Sequence, residues 1–180
     1  LVGVISADVS LNIPDYRATE RTFQLVTQVA GRAGRGERQG KVIVQSYTPE
    51  NFAIAAACEH DYRSFFNQEI KIRKFMSYPP YSDLISVEFT SKDGDKALNR
   101  AAACMEYLKK AGLPGAENIF PPQLSEAFRG KDSFRYYILI KCPKGARNEY
   151  LYYLSFFERK ERGKKNDCVQ TIDVNPYSIF

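Results

Sequence analysis

Pro79 and Pro80 stand side by side between Tyr78 and Tyr81, and no regular helix can run through them. Proline has no backbone N–H, its ring clashes with the preceding turn, and the residue before it is driven out of the helical region. The run before them is helix-patterned. Tyr62, Phe65, Phe66 and Ile70 fall at i, i+3, i+4 and i+8, one apolar face. Glu69 and Arg73 are four apart on that face, either as a pair at its edge or as a solvated pair. After the prolines the pattern turns to strand-like alternation. A chain of 180 residues with 44% hydrophobic content suits one domain or two small ones. The prolines therefore mark a boundary, with units expected over 1–58 and 81–180 and a helical connector over 59–80.

The first part reads as strand, helix, strand, helix. "LVGVIS" is a short β-branched run, followed by a loop punctuated by Asn12, Pro14 and Asp15. A helix is expected from about Arg17–Glu20 to Ala33, where glycines stop it. Lys41 to Tyr47 reads as a strand. Thr48 is the expected N-cap of a further helix, with Pro49 at its first position. This alternation is the rhythm of an α/β domain with a parallel sheet.

The second part reads as β-α-β-β-α-β. "DLISVEFTS" alternates, and "DGDKALNRAAACMEYLKKAG" is a helix with Asp93 or Asp95 near its start and Gly112 past its end. "ENIFPP" is short and extended, and "FRYYILIKCP" is a strand. A helix carrying Tyr150, Leu151, Leu154 and Phe157 follows, and "CVQTIDVNP" is the last strand. That order predicts a small ferredoxin-like α+β sandwich.

Several function classes are excluded early. No run of about 18 apolar residues is present, so no helical membrane span is expected. Cys58, Cys104, Cys142 and Cys168 are scattered without a C-x-x-C pair, which speaks against a zinc site or a disulfide framework and for a reduced, cytoplasmic protein. His60 is the only histidine, so no metal cluster is expected. The opening "LVGVISAD" has neither a start methionine nor a basic leader, and the expectation is a piece of a longer protein. Net charge is +5, compatible with an ordinary surface or with a nucleic-acid or nucleotide partner.

The stretch "QLVTQVAGRAGRGERQG" carries the most chemistry. Gln28, Arg32 and Arg35 stand at i, i+4 and i+7, within about 60° of one another at 100° per residue. Phe23, Val26, Ala30 and Ala33 lie opposite. No acid falls between Arg21 and Glu37. Arginine suits a phosphate because its planar fork donates two parallel hydrogen bonds and stays charged. Gly31 and Gly34 leave space for a close approach, although glycine inside a helix costs roughly 1 kcal/mol against alanine. The plain alternative is a glycine-rich helix end with solvated arginines.

"QVAGRAGRG" resembles motif VI, Q-x-x-G-R-x-G-R, of superfamily 2 helicases. The longer stretch "ADVSLNIPDYRATERTFQLVTQVAGRAGRG" resembles the bacterial primosomal replication-restart helicases within that superfamily. "DYRSFFNQEIKIRKFMSYPPYSDL", "FRGKDSFRYYILIK" and the final "IDVNP" resemble the same family, in order along the whole chain. The resemblance implies the end of a RecA-like helicase lobe 2 over 1–58, then the connector, then a C-terminal DNA- and partner-binding domain. It implies that Arg35 is an arginine finger, Arg32 a second contact to the γ-phosphate, and Gln28 a positioner of nucleotide or water. Gly31 and Gly34 complete that nucleotide-facing motif.

No G-x-x-x-x-G-K-[ST] loop and no D-E-x-H-type run is present in the chain. The resemblance therefore implies ATP with Mg²⁺ as cofactor of a longer enzyme whose main site lies elsewhere, and zinc held elsewhere in that protein, with none bound here. The implied partners are branched and single-stranded DNA, the acidic tail of the single-stranded-DNA-binding protein, and other primosome proteins, in the bacterial cytoplasm at the nucleoid. The 180-residue chain alone is expected to be inactive. Residues 81–180 hold 16 basic and 13 acidic side chains. Within them Arg129, Lys131 and Arg135 interleave with Phe134, Tyr136 and Tyr137, either as a single-strand surface or as a strand whose aromatics fill the core. A non-catalytic DNA- or protein-binding module, and part of an RNA helicase, are the alternatives.

Overall fold

The computed structural model describes residues 2–13, 15–33, 41–125, 133–161 and 167–177. The chain divides into two compact units, Leu1–Met76 and Ser77–Phe180.

In the first unit, β1 (Val2–Val4) and β2 (Val42–Val44) pair in parallel, with Val2 opposite Val42 and Val4 opposite Val44. Parallel neighbours need a crossover, and it contains α1 (Asp8–Leu11) and α2 (Ala18–Ala33). The one-turn α1 occupies what the sequence presents as loop. α3 (Phe52–Cys58) and α4 (Tyr62–Phe75) follow. The core gathers Ala7, Phe23, Val26, Ala53, Ile54, Ala56, Ala57 and Phe65. Phe65 of α4 stacks on Phe23 of α2 with ring centroids 4.3 Å apart, so the helix read as a connector packs within this unit. The strands alternate half-buried and exposed, which leaves Gly3 and Ile43 on an uncovered face.

α3 is capped differently from expectation. Asn51, not Thr48, is the N-cap, its Oδ1 accepting from the Ala53 N–H at 3.0 Å. Thr48 instead donates through Oγ1 to Asp8 at 2.7 Å. The β2–α3 loop is longer than the Thr48–Pro49 reading allows, because Asp8 draws its start away from the helix.

In the second unit β3 (Ser82–Ser91), α5 (Gly94–Lys110), a 3₁₀ turn (Ala116–Asn118), β4 (Gln123–Leu124), β5 (Phe134–Pro143), α6 (Arg147–Glu161) and β6 (Val169–Val174) follow in order. The sheet runs β4-β5-β3-β6 with antiparallel neighbours throughout. In order of appearance within the unit this is 2-3-1-4, the split β-α-β arrangement of a ferredoxin-like sandwich. Asp93 caps α5 by accepting from the N–H groups of Asp95 and Lys96. Gly112, beyond the helix end, takes φ +67°, the left-handed region where glycine carries no Cβ penalty.

Strand alternation decides this core. Ile85, Val87 and Phe89 of β3 and Ile138, Ile140 and Cys142 of β5 share one face with Ala97, Ala101, Cys104 and Leu108 of α5 and Tyr150, Leu154 and Phe157 of α6. Each large apolar side chain so buried contributes roughly 1.5–3 kcal/mol. The Tyr150 hydroxyl, inside this layer, donates to the Pro114 carbonyl at 3.0 Å, and burial pushes its pKa up to about 12.

Candidate functional site

α2 carries the first part of the arginine-glycine motif, through Ala33, and the start of the helix is firmly built. The Arg17 N–H donates to Asp15 Oδ1 at 2.9 Å, the Ala18 N–H to the Asp15 carbonyl at 2.9 Å, and Arg21 pairs with Asp15 at 2.9 Å. Thr22 returns its hydroxyl to the Ala18 carbonyl at 2.9 Å. One face of the helix, with Ala18, Thr22, Phe23 and Val26, is buried, while Gln24, Leu25, Gln28 and Gly31 face outward. Gln28 is thus on the solvent side, one turn from Gly31 and Arg32. Arg32 lies in the last turn of the helix. Its side chain, and Gly34 and Arg35 altogether, lie outside the described residues.

Gly31 is informative by what surrounds it. A Cβ built there would meet nothing within 4 Å. Nothing among the described residues asks for a glycine at this helical position, although it weakens the helix. A donor amide beside an uncrowded backbone fits the approach of a phosphate-bearing ligand or a facing domain.

Next to this surface α2 and α4 enclose a groove of ≈ 450 Å³. Phe23, Thr27, Gln28, Tyr62, Phe66 and Ile70 line it, and its charged end is an ion network. Arg73 donates from Nε to Glu69 at 2.7 Å and from Nη2 to Glu20 at 2.7 Å. Burial works against the Arg73 charge, and the hydrogen bonds to Glu69 and Glu20 outweigh it and raise its pKa. Glu69, only 6% exposed, therefore belongs to a bridge between helices. The sequence spacing offered the Glu69–Arg73 pair as one of two readings and gave no sign of Glu20, which is 53 residues from Arg73.

A second organiser was invisible in the sequence. Asp8, at the carboxyl end of the parallel strands, accepts from Ser46 Oγ at 2.7 Å, the Tyr47 N–H at 2.8 Å and Thr48 Oγ1 at 2.7 Å. The Ser46 hydroxyl, then Thr48 and Tyr47, hold its carboxyl well below the usual carboxylate range. No local motif announces this, because its partners come from 38–40 positions away.

The basic-aromatic segment of the second unit is split by its own strand. Arg135 projects to the sheet face away from the helices and pairs with Glu88 at 3.0 Å. Tyr136 points to the opposite face and packs against the helix-side core. Tyr137, on the Arg135 side, is 4% exposed and donates to Gln123 Oε1 at 2.7 Å. Arg129 and Lys131 lie outside the described residues. Among the described residues no three His, Cys, Asp or Glu side chains converge as a metal site. None of their helices is long and apolar enough to cross a membrane.

Residues 74–177 match the family model for the primosomal protein N C-terminal domain, a span that holds the antiparallel unit. Replication restart protein PriA of Bacillus subtilis is 40% identical over 180 residues, covering all of this chain and 22% of the relative. The PriA of Synechocystis is 37% identical over 182 residues, covering 99% of this chain and 21% of the relative. That of Rickettsia felis is 38% identical over 182 residues, covering 100% and 27%. The chain thus spans between a fifth and just over a quarter of the length of these relatives. An antiparallel β-α-β-β-α-β unit at the matched positions, and similarity along the whole chain, make this protein a member of the primosomal protein N C-terminal domain family, the counterpart of the C-terminal part of replication restart proteins PriA.

Proposed function

We propose that this chain is the C-terminal portion of an ATP-dependent 3′-to-5′ DNA helicase that restarts stalled replication forks and loads the primosome. The observation that carries this reading is the outward surface of α2, where an exposed Gln28 adjoins a helical glycine with open space over it. In the motif Q-x-x-G-R-x-G-R, that space lets a phosphate chain and its facing lobe approach.

Each residue has a distinct task in this reading. The Gln28 amide orients a phosphate oxygen or a water. Arg32 and Arg35 donate charge-assisted hydrogen bonds to the phosphate, neutralising charge as it develops. ATP with Mg²⁺ supplies the transferable phosphoryl group, and its main cradle belongs to a preceding lobe. Phosphoryl transfer asks the protein mainly for positioning and charge, so a finger on a separate lobe also links turnover to lobe movement. Zinc is assigned to other parts of the longer protein. Branched and single-stranded DNA, the tail of the single-stranded-DNA-binding protein and other primosome proteins are the partners, in the cytoplasm at the nucleoid.

The test is kinetic. The 180-residue chain should show no ATP turnover. In the longer protein Arg35→Ala should lower kcat by about 10³-fold or more with little change in KM. Turnover by this chain alone that Arg35→Ala abolishes, or full unwinding by the longer variant, would overturn the proposal.

A further inference from the structure

α6 is apolar on two sides. Tyr150, Leu154 and Phe157 enter the core, as a surface helix requires. Yet Tyr152 and Phe156, on the opposite side, are 66% and 51% exposed. At 100° per residue Tyr152, Phe156 and Arg159 lie within about 60° of one another, a single outward stripe. Tyr152 meets Tyr153 edge-on at 5.8 Å, and Tyr153 leans on Tyr107 of α5 at 6.1 Å, so the stripe is backed by half-buried rings. Arg159 and Lys160 are exposed at its end, and neither is held by an ion pair among the described residues.

Cations in a last helical turn have an ordinary reason, since they oppose the helix dipole. The two outward aromatics have none, because they add nothing to the core. We propose that this stripe binds single-stranded nucleic acid, with bases stacked on Tyr152 and Phe156 and phosphates met by Arg159 and Lys160. The proposal rests on the DNA-helicase reading above and locates a contact surface for it. Exposed ring faces beside free cations are the chemistry of single-strand recognition. Four helical residues separate the ring-bearing positions by about 6 Å, more than the 3.4 Å spacing of a stacked strand, so the bases must be splayed, and the bases of a duplex, stacked inside it, offer these rings no free face. A peptide anchor would gain by entering a pocket, whereas these rings project from a convex helix surface.

The test titrates a labelled oligo(dT) with the 180-residue chain across a range of salt. The double variant Tyr152→Leu/Phe156→Leu keeps the helix and loses both ring faces. It should bind about tenfold or more weakly with an unchanged salt slope. Arg159→Ala/Lys160→Ala should flatten the slope of log K against log salt by about 1.4. Circular dichroism melts should match the unsubstituted chain, since all four side chains are exposed. Oligonucleotide binding that survives both variants overturns the stripe while leaving the DNA reading standing. No binding by the unsubstituted chain overturns it as well, and the Arg35 kinetics still test the helicase reading separately. An acidic, apolar peptide that binds the chain and is lost with the leucine variant, while oligo(dT) binding persists, makes the stripe a protein-docking face and overturns the proposal. A dimer in sedimentation that the leucine variant dissociates overturns it as a self-interface.

Discussion

Nη2 of Arg73, in the last turn of α4, donates to Oε2 of Glu20, in the first turn of α2, at 2.7 Å. The same guanidinium holds Glu69 one turn back. The helix that bears Gln28 and Gly31 and the helix that leads out of the first unit are thereby pinned at one point.

The two acids should not be equivalent. Glu69 is 6% exposed, so Arg73→Met leaves a buried carboxylate without its cation, at an expected cost of about 2–4 kcal/mol. The Glu20 side chain is 37% exposed, and solvent screens its half of the bridge. Glu20→Gln should cost less than about 1 kcal/mol. Amide hydrogen exchange in α4 would report both, and equal effects would sink the network as drawn.

Gly31→Ala should stabilise this chain by about 0.5–1 kcal/mol, because the site is helical and nothing among the described residues occupies the position of the new methyl. The same change in the longer protein should slow ATP turnover. A thermal melt that falls instead would show that the glycine serves the fold of the chain itself.

Asp8 links stability to acid. Its folded pKa is depressed below the ordinary 3.8. Its contribution is therefore complete above that value and drains away as pH falls through the folded pKa. Asp8→Asn should lower stability at neutral pH and flatten the loss below about pH 4. Parallel acid-unfolding curves for the two proteins would remove Asp8 from the account.

The thiols should sort by burial. Cys58 is exposed, while Cys104, Cys142 and Cys168 are buried. Burial pushes Cys104 up to about 12 and raises the other two, so they hold no useful fraction of reactive thiolate at neutral pH. A thiol reagent should modify one cysteine quickly in the native chain and all four in denaturant. Rapid native reaction at Cys104 would contradict the packing of α5.

Much of this architecture is local information. The alternation in 82–91 and 134–143, the cap at Asp93 and the stop near Gly112 are written in neighbouring residues, and backbone sterics read them at short range. Helical spacing also sets the expectation that Gln28, Arg32 and Arg35 fall in line; of these, Gln28 is exposed on α2, while the Arg32 side chain and Arg35 lie outside the described residues. Long-range partners are not encoded that way. Asp8 draws Thr48 from its expected cap and Glu20 meets Arg73, and although alternation alone separates Arg135 from Tyr136, only the packing of the helices makes Tyr136's face the core side. The outward rings of α6 appear only when Tyr150, Leu154 and Phe157 choose which side is core. Periodicity states that a helix or strand has faces, and only packing decides which face is buried and which remains to meet a partner.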